Sequence, residues 1–314
     1  MALYLGVDTS NYTTSAALYD SEGDVLFQEK MPLPVKEGER GLRQSDAVFH
    51  HVKQLPEVIE RLLSGRQPAR LAGIGVSVRP RDEEGSYMPC FLAGEGTARS
   101  LSAVTGAPLH ALSHQTGHIL AALYGAGQLA LRQERFLAFH VSGGTTEALL
   151  VEPDVETLFH VRIVGGSRDL KAGQAVDRIG VLLGLPFPCG PALEVLAQGW
   201  EEPVKARASL DGAYCSLSGV ENQCRNLLAQ EAPPALIART CLAAVEAAME
   251  GMTKALRKEY GTLPILYAGG VMSNTIIRKR LERREKVFFA PPALSADNAA
   301  GAAILTFLRE EGNA

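Results

Sequence analysis

The feature that most constrains this chain is a repeat of pattern. Leu3–Asp8 is an apolar run ending in a Thr/Ser/Asn turn, residues 13–19 form a second strand-like run, and after Ser21-Glu22-Gly23-Asp24 a third covers residues 25–29. Roughly 130 residues later the same order returns. It runs through Phe136–Val141, the tight turn Ser142-Gly143-Gly144, residues 145–151, the turn Glu152-Pro153-Asp154, and residues 157–164. Identity between the copies is low, so architecture is what repeats. Two α/β halves, each opening with a meander, predict a duplicated fold with a cleft between the halves.

The segments after each meander mix helix and strand. Residues 47–63 have helical apolar spacing interrupted by Pro56, 71–78 read as a buried strand, and 94–103 and 113–123 as helices, the latter capped by Ser113. Residues 235–257 form a long amphipathic helix. A short strand at 264–267 leads into Gly269-Gly270, followed by a helix over 274–284 whose basic end suits the dipole. A last strand covers 287–290, and the small-residue helix at 295–309 can pack closely on a neighbour.

Composition narrows the function classes. No window reaches 18 apolar residues, and Asp8 comes too early after an uncharged N-terminus for a signal peptide. Five dispersed cysteines without a C-x-x-C pair fit neither a disulfide scaffold nor a zinc ribbon, and read as reduced thiols in a cytoplasm. With 31 basic against 35 acidic side chains the net charge is −4, which argues against a free-standing nucleic-acid binder.

Three glycine turns end buried strands: Ser142-Gly143-Gly144, Gly165-Gly166 and Gly269-Gly270. Each alone reads as a plain tight turn, but together they suit phosphate oxygens, since a turn without Cβ atoms presents its N–H groups. The Rossmann and P-loop motifs are absent. His114 and His118, at i and i+4, share a helix face and are either two metal ligands or two surface histidines. Asp297 is the candidate third ligand, or alternatively a helix cap. No Glu stands between the histidines in the H-E-x-x-H manner, so the metalloprotease reading lacks its base. Asp177 and Glu194 flank a Pro/Gly bend and could bond ribose hydroxyls. Asp8 and Ser10, in the first turn, are the candidate catalytic residues.

In this order the segments resemble the TsaD family, also called Gcp and once described as an O-sialoglycoprotein endopeptidase. The resemblance runs from about Leu3 to the last helix. It is carried by the H-x-x-x-H pair, Val141-Ser142-Gly143-Gly144-Thr145, Ala172-Gly173-Gln174-Ala175-Val176-Asp177, Leu182-Leu183-Gly184-Leu185-Pro186, Gly190-Pro191-Ala192-Leu193-Glu194, Gly269-Gly270-Val271 with Asn274, and Asp297-Asn298-Ala299-Ala300. It implies the duplicated actin-like ATPase fold of sugar kinases and heat-shock chaperone ATPases, two lobes around a nucleotide cleft, with residues 1–118 as the first lobe and 119–314 as the second, whose C-terminal helix packs back on the first. It also implies metal-dependent transfer of a threonylcarbamoyl group from its adenylate to N6 of adenosine 37 of tRNA. His114, His118 and Asp297 would hold one divalent ion, iron or zinc. His140, Val141, Ser142, Gly143 and Gly144 would cradle the phosphates of ATP, ADP or the acyl-adenylate, and Asp177, Gly190, Glu194 and Asn274 would contact the nucleoside. The implied partners are tRNA and TsaB-like and TsaE-like proteins, with a dimer as a further option and no membrane.

The chain departs from the family's pattern at defined places. Asp8-Thr9-Ser10-Asn11-Tyr12-Thr13-Thr14 stands for E-T-S-C-D-E-T, so Tyr12 and Thr13 replace an acidic pair. Thr116 occupies the Glu position of H-[LM]-E-G-H, Glu221 aligns with a Lys, and Arg79-Pro80-Arg81 with Asp82-Glu83-Glu84 replaces a glycine-proline-glycine turn. The reading is of a divergent paralogue. The alternatives are a non-catalytic nucleotide- and metal-binding partner of a true member, or a small-molecule phosphotransferase of the same fold.

Overall fold

The computed structural model describes residues 2–10, 12–34, 42–66 and 70–311. Packing divides the chain into two compact units, Met1–Leu129 with Asp154–Phe159 and Ala296–Ala314, and Ala130–Pro153 with His160–Ser295. In the first, β1 (Leu3–Asp8), β2 (Thr13–Asp20) and β3 (Val25–Pro32) form the meander. They are followed by α1 (Gln44–Leu63), which runs through Pro56 as one helix, β4 (Leu71–Arg79), α2 (Phe91–Thr105), β5 (Leu109–Ser113) and α3 (His114–Gly125). The sheet order is β3-β2-β1-β4-β5, with β4 parallel to both β1 and β5. Strand alternation sends Leu3, Leu5 and Val7 into a core with Leu55, Val58 and Leu62 of α1 and Ala98 of α2. Tyr4, Gly6 and Asp8 therefore face the other side.

The second unit repeats this plan. It contains β6 (Phe136–Val141), β7 (Thr146–Asp154) and β8 (Leu158–Ser167) apart from the stretch Asp154–Phe159 that joins them, then α4 (Ala172–Leu182), α5 (Gly190–Gln198), β9 (Ser209–Asp211), β10 (Tyr214–Ser216), α6 (Ser218–Ala229), α7 (Pro234–Tyr260), β11 (Ile265–Ala268), α8 (Thr275–Leu281) and β12 (Val287–Phe289). Its order, β12-β11-β6-β7-β8-β10-β9, contains β8-β7-β6-β11-β12, the counterpart of the first sheet, with β11 parallel to β6 and β12. Leu137, Phe139 and Val141 of β6 meet Ile237, Cys241, Val245 and Met249 of α7 in its core. One expectation is corrected: Gly165 and Gly166 do not make a turn but lie inside β8. A Cβ on Gly165 would sit 2.4 Å from the Ala213 carbonyl oxygen, so glycine serves the close approach of the chain entering β10.

The last helix, α9 (Ala300–Glu310), belongs to the first unit and covers the face of β1 opposite the core. Its approach is set by absent side chains. A Cβ on Gly6 would lie 2.3 Å from the Ala299 carbonyl oxygen, one on Gly75 2.2 Å from that of Ala302, and one on Gly301 1.9 Å from that of Gly117. Backbone thus rests on backbone where α9 meets β1, β4 and α3, and that contact keeps α3 whole within the first unit, beyond residue 118. Among the described residues no helix is long and apolar enough to cross a membrane, and all five cysteines are buried.

Candidate functional site

In the first unit the approach of α9 to α3 brings three separated residues together. His114 and His118 lie one turn apart on α3, and Asp297 sits in the turn before α9. The His118 and His114 Nε2 atoms are 2.8 Å apart, and Asp297 Oδ1 lies 3.2 Å from His118 Nε2 and 3.6 Å from His114 Nε2. Around a tetrahedral ion with metal–nitrogen bonds of roughly 2.0–2.1 Å, ligand atoms stand about 3.3 Å apart. The observed spacings bracket that value, so this trio can hold a small divalent ion. Asp297 does not cap α9; the Asn298 Oδ1 accepts the Ala300 N–H at 3.0 Å, which leaves the Asp297 carboxylate for the histidines.

Asp8 and Ser10 stand behind this trio. Asp8 is fully buried at the end of β1 and its Oδ2 lies 2.8 Å from His114 Nδ1, so the Nε2 of that ring is the one turned to Asp297 and His118. The Asp8 Oδ1 accepts the Ser10 N–H at 2.9 Å and the Ser10 hydroxyl at 2.5 Å. A carboxylate that fixes a histidine's tautomer and aims its other nitrogen is the usual support of a metal ligand. Burial alone would raise the Asp8 carboxyl, but the His114 charge and hydrogen bonds from His114 and Ser10 override it and bring the pKa to about 2. Burial likewise disfavours the His114 imidazolium, yet Asp8 and Asp297 outweigh it and raise its pKa to about 10. Asp297, against its own burial, is held well below the carboxylate range by bonds to both histidines. Two carboxylates about one imidazole make a strongly cation-seeking site.

Lys30 went unnoticed in the sequence. The register pairs Asp8 with Ser15 and Ser15 with Lys30, which puts all three on the face covered by α9. Burial lowers the pKa of its ammonium while Asp297 favours the charge. The signal was available in strand parity, counted across the meander.

In the second unit the glycine turn after β6 is open. Gly143 and Gly144 are exposed, and a Cβ on either would meet nothing within 4 Å. The turn is tied at its base by Ser142 N–H to the Thr145 carbonyl at 2.7 Å, and Gly173, in the first turn of α4, donates its N–H to the Ser142 carbonyl at 3.1 Å. A Cβ on Gly173 would sit 2.5 Å from Gly143 N, so α4 abuts this turn closely. His140 pairs with Ala268 in the sheet, so Gly269-Gly270 follows the neighbouring strand end. The other expected nucleoside residues have protein partners. Asp177 Oδ1 accepts the Cys189 N–H at 2.9 Å beside Gly190, Glu194 accepts the Thr275 N–H at 2.8 Å, and Asn274 caps α8 by accepting from Ile276 and Ile277. Glu194 and Asn274 thus meet at the start of α8.

The family model for tRNA N6-adenosine threonylcarbamoyltransferase matches residues 36–304. The chain belongs to the TsaD family. A TsaD relative from Thermus thermophilus is 31% identical, with 98% of this chain and 93% of the relative covered. One from Sorangium cellulosum is 31% identical over 97% and 91%, and one from Enterococcus faecalis 30% over 99% and 91%. TsaD is thus an acyltransferase family, and this chain spans nearly the whole length of these members. Among solved structures, component A of (R)-2-hydroxyglutaryl-CoA dehydratase from Acidaminococcus fermentans has a TM-score of 0.57 at 15% identity, covering 99% of both chains. Full-length HypF in a phosphate- and nucleotide-bound form scores 0.60 at 12% identity over 99% of this chain and 55% of its own. The fold is the duplicated actin-like ATPase fold.

Proposed function

We propose that this chain transfers a threonylcarbamoyl group from its adenylate to N6 of adenosine 37 of tRNA, in the cytoplasm, with an ion held by His114, His118 and Asp297. The reading is carried by the convergence of those three side chains, backed by Asp8, within a member of the TsaD family. Iron or zinc would act there as a Lewis acid on the acyl carbonyl. The chain's own residues supply the rest. Asp8 holds the His114 ring in one tautomer and keeps its Nε2 aimed at the ligand cluster. The open N–H groups of Gly143 and Gly144, with His140, Val141 and Ser142 below them, suit the phosphate of ATP, ADP or the adenylate leaving group. Asp177 and Glu194, with Gly190 beside Cys189 and Asn274 at the start of α8, suit the nucleoside. The adenine amine is the nucleophile, so no protein thiol needs to be one. That agrees with the buried cysteines, of which Cys241 has its pKa pushed far up by burial. With a net charge of −4, tRNA is engaged through TsaB-like and TsaE-like partners, with a dimer as one form of the assembly.

A second reading has its own observation. Tyr12 and Thr13 stand where the family pattern carries an acidic pair, which favours a non-catalytic nucleotide- and metal-binding partner of a true member. Purified chain is incubated with threonylcarbamoyl-adenylate and unmodified tRNA, with and without partner proteins, and the digested nucleosides are weighed. Modified adenosine above a His114→Ala control supports the transferase. Tight nucleotide binding without product sinks it in favour of the partner.

A further inference from the structure

The backbone that carries His114 is clamped by a loop the family pattern lacks. After β4 the chain runs through Arg79, Pro80, Arg81 and Asp82. The Asp82 Oδ2 accepts the Ser113 hydroxyl at 2.6 Å and the Thr116 hydroxyl at 2.8 Å. Its Oδ1 accepts Arg79 Nε at 3.0 Å and Nη2 at 2.6 Å. Ser113 in turn accepts the Thr116 N–H at 3.1 Å as the cap of α3, and the Pro80 carbonyl accepts the Gln115 N–H at 3.0 Å. Two donors of the first turn, the Gln115 and Thr116 N–H groups, are therefore met by this loop and by the cap it holds. The carboxylate also places negative charge at the positive end of the helix dipole. His114 is the first residue of that turn, so the clamp fixes its Cα while Asp8 fixes its ring.

The helical angle explains how the two departures fit together. At 100° per residue, position 116 points away from the mean direction of 114 and 118 by about 180°. Its side chain projects towards the loop, not towards the ion, and both Ser113 and Thr116 are fully buried there. A shortened side chain at 116 and an acid in the loop occupy one gap from its two sides.

We infer that Asp82 is a positioning residue for the metal centre, supplying from the loop after β4 the carboxylate that anchors the first turn of α3 and so aims His114. This inference rests on the reading of His114, His118 and Asp297 as ligands. The test uses the full chain with cobalt(II) as probe, titrated against a chromophoric chelator, and the visible spectrum of bound cobalt as a report on ligand geometry. Asp82→Ala is expected to lower cobalt affinity about tenfold, as loss of an outer support does, and to change the spectrum. Adding Thr116→Glu to that variant returns a carboxylate to the same gap from the helix side and is expected to recover both readouts. A folded Asp82→Ala protein with wild-type affinity and spectrum overturns the inference, and so does a folded double variant that recovers neither. If Asp82→Ala does not fold, Asp82→Asn keeps the shape and removes the charge; a loss in the same direction supports the inference and no change overturns it. Should wild-type protein bind no cobalt, the ligand reading itself fails. The metal-free protein then decides Asp82 alone, because its long-range proton–nitrogen spectrum follows the His114 ring. Movement of those signals on Asp82→Ala upholds the positioning role, and their constancy overturns it.

Discussion

Gly301→Ala tests whether the proposed metal centre depends on backbone resting against backbone. The added Cβ would lie 1.9 Å from the Gly117 carbonyl oxygen and 2.5 Å from its carbonyl carbon. Neither atom can rotate aside, and contacts of this kind relax to about 3.0–3.4 Å, so α9 must withdraw from α3 by about 1 Å or more. Asp297 sits just before α9 and both histidines on α3, so most of that displacement enters the ligand spacings, now 3.2 and 3.6 Å. Metal sites tolerate about 0.2 Å. Overpacking costs about 1–3 kcal/mol, offset by up to about 1 kcal/mol because alanine is the better helix former. The expected result is a full-length protein destabilised by about 1–2 kcal/mol, by chemical denaturation, with zinc affinity down more than tenfold. A variant that melts like wild type and competes for zinc equally well would refute the argument, since the helices would then not need bare backbone at their crossing.

Gly144→Ala makes the opposite case: the Cβ meets nothing, so stability is expected to stay within about 0.5 kcal/mol while calorimetry shows weakened ATP or ADP binding; unchanged binding removes this turn from the nucleotide site. Asp8→Asn removes the charge that holds the His114 proton, so the His114 titration followed by NMR is expected to fall from about 10 towards 6.5, and zinc affinity to drop about tenfold to a hundredfold. Metal-free protein, melted in chelator across pH, is expected to be most stable between roughly pH 4 and 6.5. The His114 pKa is raised, so its contribution is whole below 6.5 and fades as pH rises to about 10. The Asp8 pKa is lowered, so its contribution is whole above 3.8 and fades towards pH 2. A stability that climbs steadily from pH 6.5 to 9 would contradict the pairing.

The strands were legible in the sequence because apolar runs and turn residues mark them locally, and the repeat showed because both meanders use the same punctuation. The i, i+4 histidines and Asp297 were legible as residue types, but their meeting depends on how closely α9 approaches α3, which only Gly117 and Gly301 in contact reveal. Gly165-Gly166 read as a turn because adjacent glycines usually are one; the close pass of Ala213 is a long-range fact. Asp297 resembles a helix cap in the sequence, and only geometry turns its carboxylate to the histidines instead. Asp82 was invisible as a support, since an acid in a charged loop has no local signature of the hydroxyls it meets on another element.

The helix that completes the first unit is also the part of it made last. When a ribosome has finished residue 129, β1 and β4 still present Gly6 and Gly75 to solvent, and the ligand set lacks its carboxylate. At about 5–20 residues per second the second unit takes roughly 10–35 s more to synthesise. The nascent first unit must survive that interval with an open groove. A message cut short before Asp297 would yield a chain without α9 and without the carboxylate that meets the two histidines, so on the proposed reading the ion site would form only after Asp297 has been made.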